Sequence, residues 1–154
     1  MPNWITNTVT VRGKKKDLAT FKEAVSSLSN KDILEVRDKL KFKQSEDESD
    51  FSFEKIVPIP AEIQAAPYDP IGYEWNLKNW GTKWPEVHCR IIAETKDSII
   101  YEFDTAWTPP TSLLFALKTQ YPSLKFTFLF IDEGDELLKE LFFDEMGEAW
   151  EKEV

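Results

Sequence analysis

The chain has 154 residues, of which 42% are hydrophobic, 14% aromatic and 31% charged, with a net charge of -9. That is one domain's length of chain with enough apolar material for a core, which excludes a disordered polypeptide. Its single cysteine, Cys89, excludes an internal disulfide, no apolar run approaches the roughly 20 residues of a membrane helix, and MPNWITNTVTV lacks the basic start and apolar stretch of an export signal, so the expected setting is the cytoplasm.

Residues 5 to 11 alternate, with Ile5, Val9 and Val11 on one side and Thr6, Thr8 and Thr10 on the other, the pattern of a half-buried strand. Gly13 ends it. Asp17 is placed to cap a helix in which Leu18, Phe21, Val25 and Leu28 recur at helical spacing to about Ser29. Residues 30–86 form an insertion that begins with a charged stretch, Lys39 to Asp50, expected to be mobile. FSFEKIVPIP, from Phe51, alternates like a strand before its prolines stop it, and YEWNLKNWGTKW holds Tyr73, Trp75, Trp80 and Trp84 within twelve residues. Val87, Cys89, Ile91 and Ala93 then face one way on a strand, and a Lys96-Asp97-Ser98 turn leads to Ile99, Tyr101 and Phe103, closing a hairpin.

Thr108-Pro109-Pro110 is a helix start, because proline fixes φ and the first turn needs no amide from it. Leu113, Leu114, Leu117 and Tyr121 supply its apolar stripe, and Pro122 ends it. Lys125 to Ile131 reads as a last strand with apolar side chains on both faces, which implies that its second face is covered. The acidic extension, 135–154, reads as an added hairpin, with a helix as the alternative. The order β-α-β-β-α-β is the split βαβ, or ferredoxin-like, topology: an α+β domain with two helices on one face of a four-stranded antiparallel sheet. The whole of 1–154 is expected to be a single such domain. One cysteine cannot hold an iron–sulfur cluster, so the fold name carries no redox meaning.

Charge is unevenly spread. From Asp132 to Val154 ten acids face two lysines, whereas Arg12 to Lys43 holds ten basic and five acidic residues. Nucleic-acid affinity comes largely from neutralising phosphates, so the overall balance argues against a nucleic-acid partner.

MPNW with Asn7 and Gly13, FSFEKIVPIP, YEWNLKNWGTKW, FDTAWTPP, YPSLKF and IDEG, taken together, resemble the YubB ferredoxin-like domain family, small proteins of phages, plasmids and related mobile elements. The resemblance covers residues 1 to about 134, and the acidic tail departs from it. It implies the fold and a mobile-element setting, and it carries no established activity or catalytic residues.

Candidate chemistry is sparse. His88 and Cys89 are neighbours on a strand and so point to opposite faces, which prevents them from forming a dyad with each other. Cys89 shares the apolar face of Val87 and Ile91 and reads as a buried, inert thiol. One histidine and one cysteine cannot assemble the usual zinc site, and no Walker A, GxGxxG or GxSxG motif is present. The open sheet face would show Thr6, Thr8, Thr10, Ile100, Glu102 and Asp104, which lacks the aromatic platform of an RNA-recognition sheet.

The residues left to explain are Trp75, Trp80, Trp84 and Trp107, with Asn76, Asn79, Lys83 and Thr105 among them. Tryptophan is costly to expose, so such a cluster is either core or a recognition surface. The expected binding residues are Trp80, Asn79, Lys83, Asn76 and Gly81. Trp80 is the accessible ring at the loop tip, Lys83 the anion contact, and Trp75, Trp84 and Trp107 are core. No catalytic residue, metal site or cofactor is expected, and no oligomeric state follows from the sequence. The expected role is a non-catalytic accessory protein that binds another protein. The alternatives are a small-ligand-binding protein or enzyme using the NWGTKW loop, and a DNA mimic using the acidic tail.

Overall fold

The computed structural model describes residues 3–27, 49–132, 138–143 and 149–153. Leu28 and most of the charged stretch from Lys39 lie outside them. Strand β1 (Trp4–Arg12) is central and pairs antiparallel with both β3 (Ser98–Ala106) and β4 (Lys125–Asp132). Strand β2 (Val87–Glu94) forms the hairpin with β3, while β5 (Leu138–Phe143) and β6 (Ala149–Glu153) continue the sheet beyond β4 in the order β2-β3-β1-β4-β5-β6. The first four strands have the split βαβ arrangement. The acidic extension is thus a hairpin added to the sheet, in which Lys139 stands opposite Glu153 and Glu140 opposite Lys152.

Period-two burial holds through the frame. Ile5, Val9, Val11, Ile99, Tyr101, Phe103, Phe126, Phe128 and Phe130 are buried beneath helices α1 (Lys15–Val25) and α5 (Thr111–Gln120), which contribute Leu18, Phe21, Val25, Leu113, Leu114 and Leu117 to the same core. Asn7 interrupts the apolar run, and its buried Nδ2 is satisfied by donating to Thr105 Oγ1 at 3.0 Å and to the Phe103 carbonyl at 3.3 Å. Asp17 is not the cap of α1. That position falls to Lys14 with no side-chain bond, and Asp17 lies in the first turn, where a negative charge suits the helix dipole.

Strand β2 is irregular. Its pairing with β3 slips between Val87 and Arg90 and again between Ile91 and Ala93. The second slip leaves Ala93 exposed rather than facing inward and sets Glu94 opposite the inward-facing Ile99, where its carboxylate meets Lys22 of α1 at 3.0 Å. On β4, Leu129 is half-buried and Ile131 exposed, so the second face of that strand is only partly covered.

The insertion returns to the frame where it left it. Ser27 N donates to the Ser49 carbonyl at 2.9 Å, Ser49 N to Ser27 Oγ at 2.7 Å, and Ser52 N to the Val25 carbonyl at 2.7 Å. FSFEKI does not form the expected strand. Ser52 Oγ accepts from Lys55 N and starts a one-turn helix, α2 (Phe53–Ile56), which buries Phe53 and Ile56, while Phe51 stacks on Phe103 at 5.0 Å. Gln120 Nε2 donates to the Ile56 carbonyl at 2.8 Å and ties α2 to α5. A short helix α3 (Ala61–Gln64), a π-helical turn (Tyr68–Gly72) and α4 (Tyr73–Asn79) then lead to the NWGTKW loop.

Candidate binding site

The loop closes α4 and docks on the connection between β3 and α5. Trp80 N and Gly81 N both donate to the Asn76 carbonyl, and Gly81 turns the chain back at φ +89°, a conformation that favours glycine. A Cβ at Gly81 would stand 2.9 Å from Thr111 N, so the close approach to the start of α5 also requires glycine. Thr108 Oγ1 donates to the Gly81 carbonyl at 2.7 Å, Thr82 Oγ1 to the Ala106 carbonyl at 3.0 Å, and Leu113 N to the Trp80 carbonyl at 3.2 Å. Thr105, buried, donates from Oγ1 to the Thr108 carbonyl at 2.8 Å. NWGTKW and FDTAWTPP, separate in the sequence, are therefore one structural unit.

This docking reverses the expected roles of the tryptophans. Trp80 is 1% exposed: its Nε1 donates to the Val57 carbonyl at 3.0 Å, and its ring meets Phe53 and Trp75 edge-on at 5.6 and 5.4 Å. It is a core plug, because α4 lays its C-terminal end over α2. Trp75 is packed against the core as expected, whereas Trp84 and Trp107, expected inside, are 37% and 52% exposed. Of the other expected binding residues, Asn76 is buried and donates from Nδ2 to the Lys83 carbonyl at 2.7 Å, and Asn79 Nδ2 donates to the Trp75 carbonyl at 3.0 Å. These amides shape the loop, and only Lys83 brings its functional group to the surface.

At that surface Lys83 Nζ lies 4.0 Å from the centre of the Trp84 ring and 5.9 Å from that of Trp107, both within cation–π range. The Lys83 carbonyl also accepts from Tyr68 Oη at 2.9 Å. Trp84 continues to Trp4, and Trp4 to His88, with ring centres 6.4 Å apart at each step. His88 Nδ1 sits 3.1 Å from Asp104 Oδ2, and Thr6 Oγ1 donates to the same carboxylate at 3.0 Å. Among the described residues, the two non-glycine positions with positive φ, His88 at 55° and Trp107 at 70°, both belong to this corner. Sequence reasoning missed Trp4, Tyr68 and His88 as members, since nothing local signals that they converge.

Outward of the corner the insertion leaves Tyr68, Ile71, Tyr73 and Leu77 exposed. Tyr73 and Leu77 share a face of α4 at i, i+4, and Tyr68 meets Tyr73 edge-on at 6.3 Å. Beneath, Glu86 Oε1 accepts from Phe53 N at 2.9 Å, and burial raises its carboxyl to about 7. Burial likewise pushes the Cys89 thiol up to about 12, which leaves it a poor nucleophile.

The sheet order and the two helices define a ferredoxin-like α+β domain in which the exposed rings of Trp84 and Trp107 meet at one corner. Residues 79–139 match the family model described as a ferredoxin-like domain in Api92-like protein, a match that begins at the NWGTKW loop and contains the connection on which it docks. The solved structure of a protein api92 from Yersinia pseudotuberculosis shares the fold, with a TM-score of 0.72 and 8% identity over 100% of this chain and 98% of that one. No curated protein matches the chain. None of the described helices is long and apolar enough to cross a membrane.

Proposed function

We propose that this is a non-catalytic accessory protein of a phage or related mobile element, acting in the cytoplasm by binding another protein through the tryptophan corner and the outer face of its insertion. The observation that carries this reading is Trp107. A left-handed backbone costs an L-residue about 1–2 kcal/mol, and more than half of this indole remains in solvent, so the residue bears strain without the return of burial. Exposed aromatics grouped in one patch are the usual makeup of a protein interface. The mobile-element setting is supported by the sequence resemblance.

A small-ligand role has less support. The rings lie along an open surface, while a cavity of about 350 Å³ between α1 and the β2–β3 turn is lined by Lys15, Leu18, Lys22, Ile91, Glu94 and others, with no residue of the NWGTKW loop. The test is affinity capture from host cells with the wild type and a Trp84→Ser/Trp107→Ser variant of equal melting temperature. Proteins held by the wild type and lost by the variant are expected. The same set on both would remove the corner from the function.

A further inference from the structure

We infer that the segment this corner recognises carries a carboxylate beside an apolar side chain, the carboxylate accepting from Lys83 Nζ while the apolar group lies on Trp84 and Trp107. This rests on the protein-binding reading and adds the chemistry of the partner. Lys83 is half-buried, and its main chain is clamped by two side-chain donors, Asn76 Nδ2 and Tyr68 Oη, both on the same carbonyl. Its ammonium is held between two indoles. Among the described residues no carboxylate or carbonyl bonds that ammonium, although acids outnumber bases 28 to 19 in the chain.

The contrast with other basic side chains near the sheet is informative. Lys22 is paired with Glu94 and Arg90 with Glu102, the latter at 2.7 Å. Two carboxylates of this end of the sheet are already engaged, Asp104 by Thr6 and His88, Asp132 by Asn3. What the corner offers, among the described residues, is a positioned cation without a counter-charge, framed by flat apolar faces. A basic segment would meet that cation directly, and a purely apolar one would cover it without a counter-charge, whereas an acidic residue flanked by a leucine or an aromatic completes it.

The chain's net negative charge does not oppose this at close range. The backbone of strands β5 and β6, on which Glu140, Glu151 and Glu153 stand, lies beyond β4, two and three strands away from β1, roughly 10–15 Å at about 4.8 Å per strand. Charges separated by more than about 8 Å are largely screened at physiological salt, while a direct ammonium–carboxylate contact is not.

The experiment is selection of displayed random dodecapeptides on the wild-type protein, with binders to the Trp84→Ser/Trp107→Ser variant subtracted. Enriched peptides with Asp or Glu adjacent to Leu, Phe or Trp are expected. The best of them, made as a free labelled peptide, should bind at least tenfold more weakly when Lys83 becomes Met. Changing its acid to the amide should cost a similar factor, with no further loss when both changes are combined. Enrichment of apolar but uncharged or basic peptides, or binding indifferent to Lys83→Met, overturns the inference and leaves the protein-binding reading standing. No enrichment over the subtracting variant overturns both.

Discussion

The frame and the insertion handle their large apolar side chains in opposite ways. Within β1, β3, β4, α1 and α5 most such side chains point into one core, with Phe115 and Ile131 the exposed exceptions, and the geometry of each element accounts for its place. Between Ser49 and Glu86 the chain is two-sided: Phe51, Phe53, Ile56 and Trp80 plug the core, while Tyr68, Ile71, Tyr73, Leu77 and Trp84 face out. Only three residues separate Trp80 from Trp84. Their different fates show that the insertion is held by one set of aromatics and displays another, so stability and recognition are separable by mutation.

Trp80→Ala tests the holding side and should have the largest effect. The change removes a fully buried ring that Phe53 and Trp75 contact, together with the hydrogen bond to the Val57 carbonyl. Aromatic-to-alanine changes in cores cost about 3–5 kcal/mol, and that loss should appear in denaturant unfolding with the slope unchanged. A loss below about 1 kcal/mol would show that the insertion is not anchored through this ring.

The frame was legible because its signals are local. Ile5, Val9 and Val11 set a period of two, and Thr108-Pro109-Pro110 marks the start of α5, each within a few residues. The insertion was not. Phe51 and Phe53 alternate as a strand would, yet a one-turn helix is too short to display its own period, and the deciding contact is Ser52 Oγ to Lys55 N. The exposure of Trp80 and Trp84 depends on where α4 lands, which is fixed by partners 23 and 27 residues away, Val57 and Phe53, and by the Thr108 and Ala106 groups across the fold. Gly81 could be read as a turn from sequence. That the turn would send Trp84 outward could not.

A middle-sized effect is expected from Glu86, which ties the end of the insertion back to the start of α2 through Phe53 N. Its carboxyl titrates at about 7 in the folded protein against an ordinary value of 4.5, raised by burial first and by Glu54 in smaller part. Between those values the folded chain keeps a proton that the unfolded chain has lost, so stability should fall as pH rises from 4.5 to 7. The full difference is about 3 kcal/mol at most, less to the extent that solvent reaches this half-buried group. Glu86→Gln keeps an acceptor for Phe53 N and cannot ionise. It should melt higher than wild type at pH 8 and flatten the dependence, and an unchanged slope would assign the pH response elsewhere.

The displaying side should respond least, and Trp107→Gly is the sharpest measure of it. If Trp107 served the fold, removing a large aromatic would destabilise the protein, and glycine would add the entropy of a freer unfolded chain. At φ +70°, however, glycine relieves a backbone conformation that disfavours tryptophan, a gain of about 1–2 kcal/mol set against the loss of a half-exposed ring and about 0.5–1 kcal/mol of chain entropy. The backbone bond from Trp107 N to the Asn3 carbonyl at 2.8 Å survives the change. These terms nearly cancel, so the unfolding free energy should move by no more than about 1 kcal/mol in either direction. Trp107→Ala removes the same ring without relieving the backbone and should be less stable than the glycine variant. If the glycine variant instead lost 2 kcal/mol or more, Trp107 would be a structural residue, and the strain at this position would no longer point to a partner.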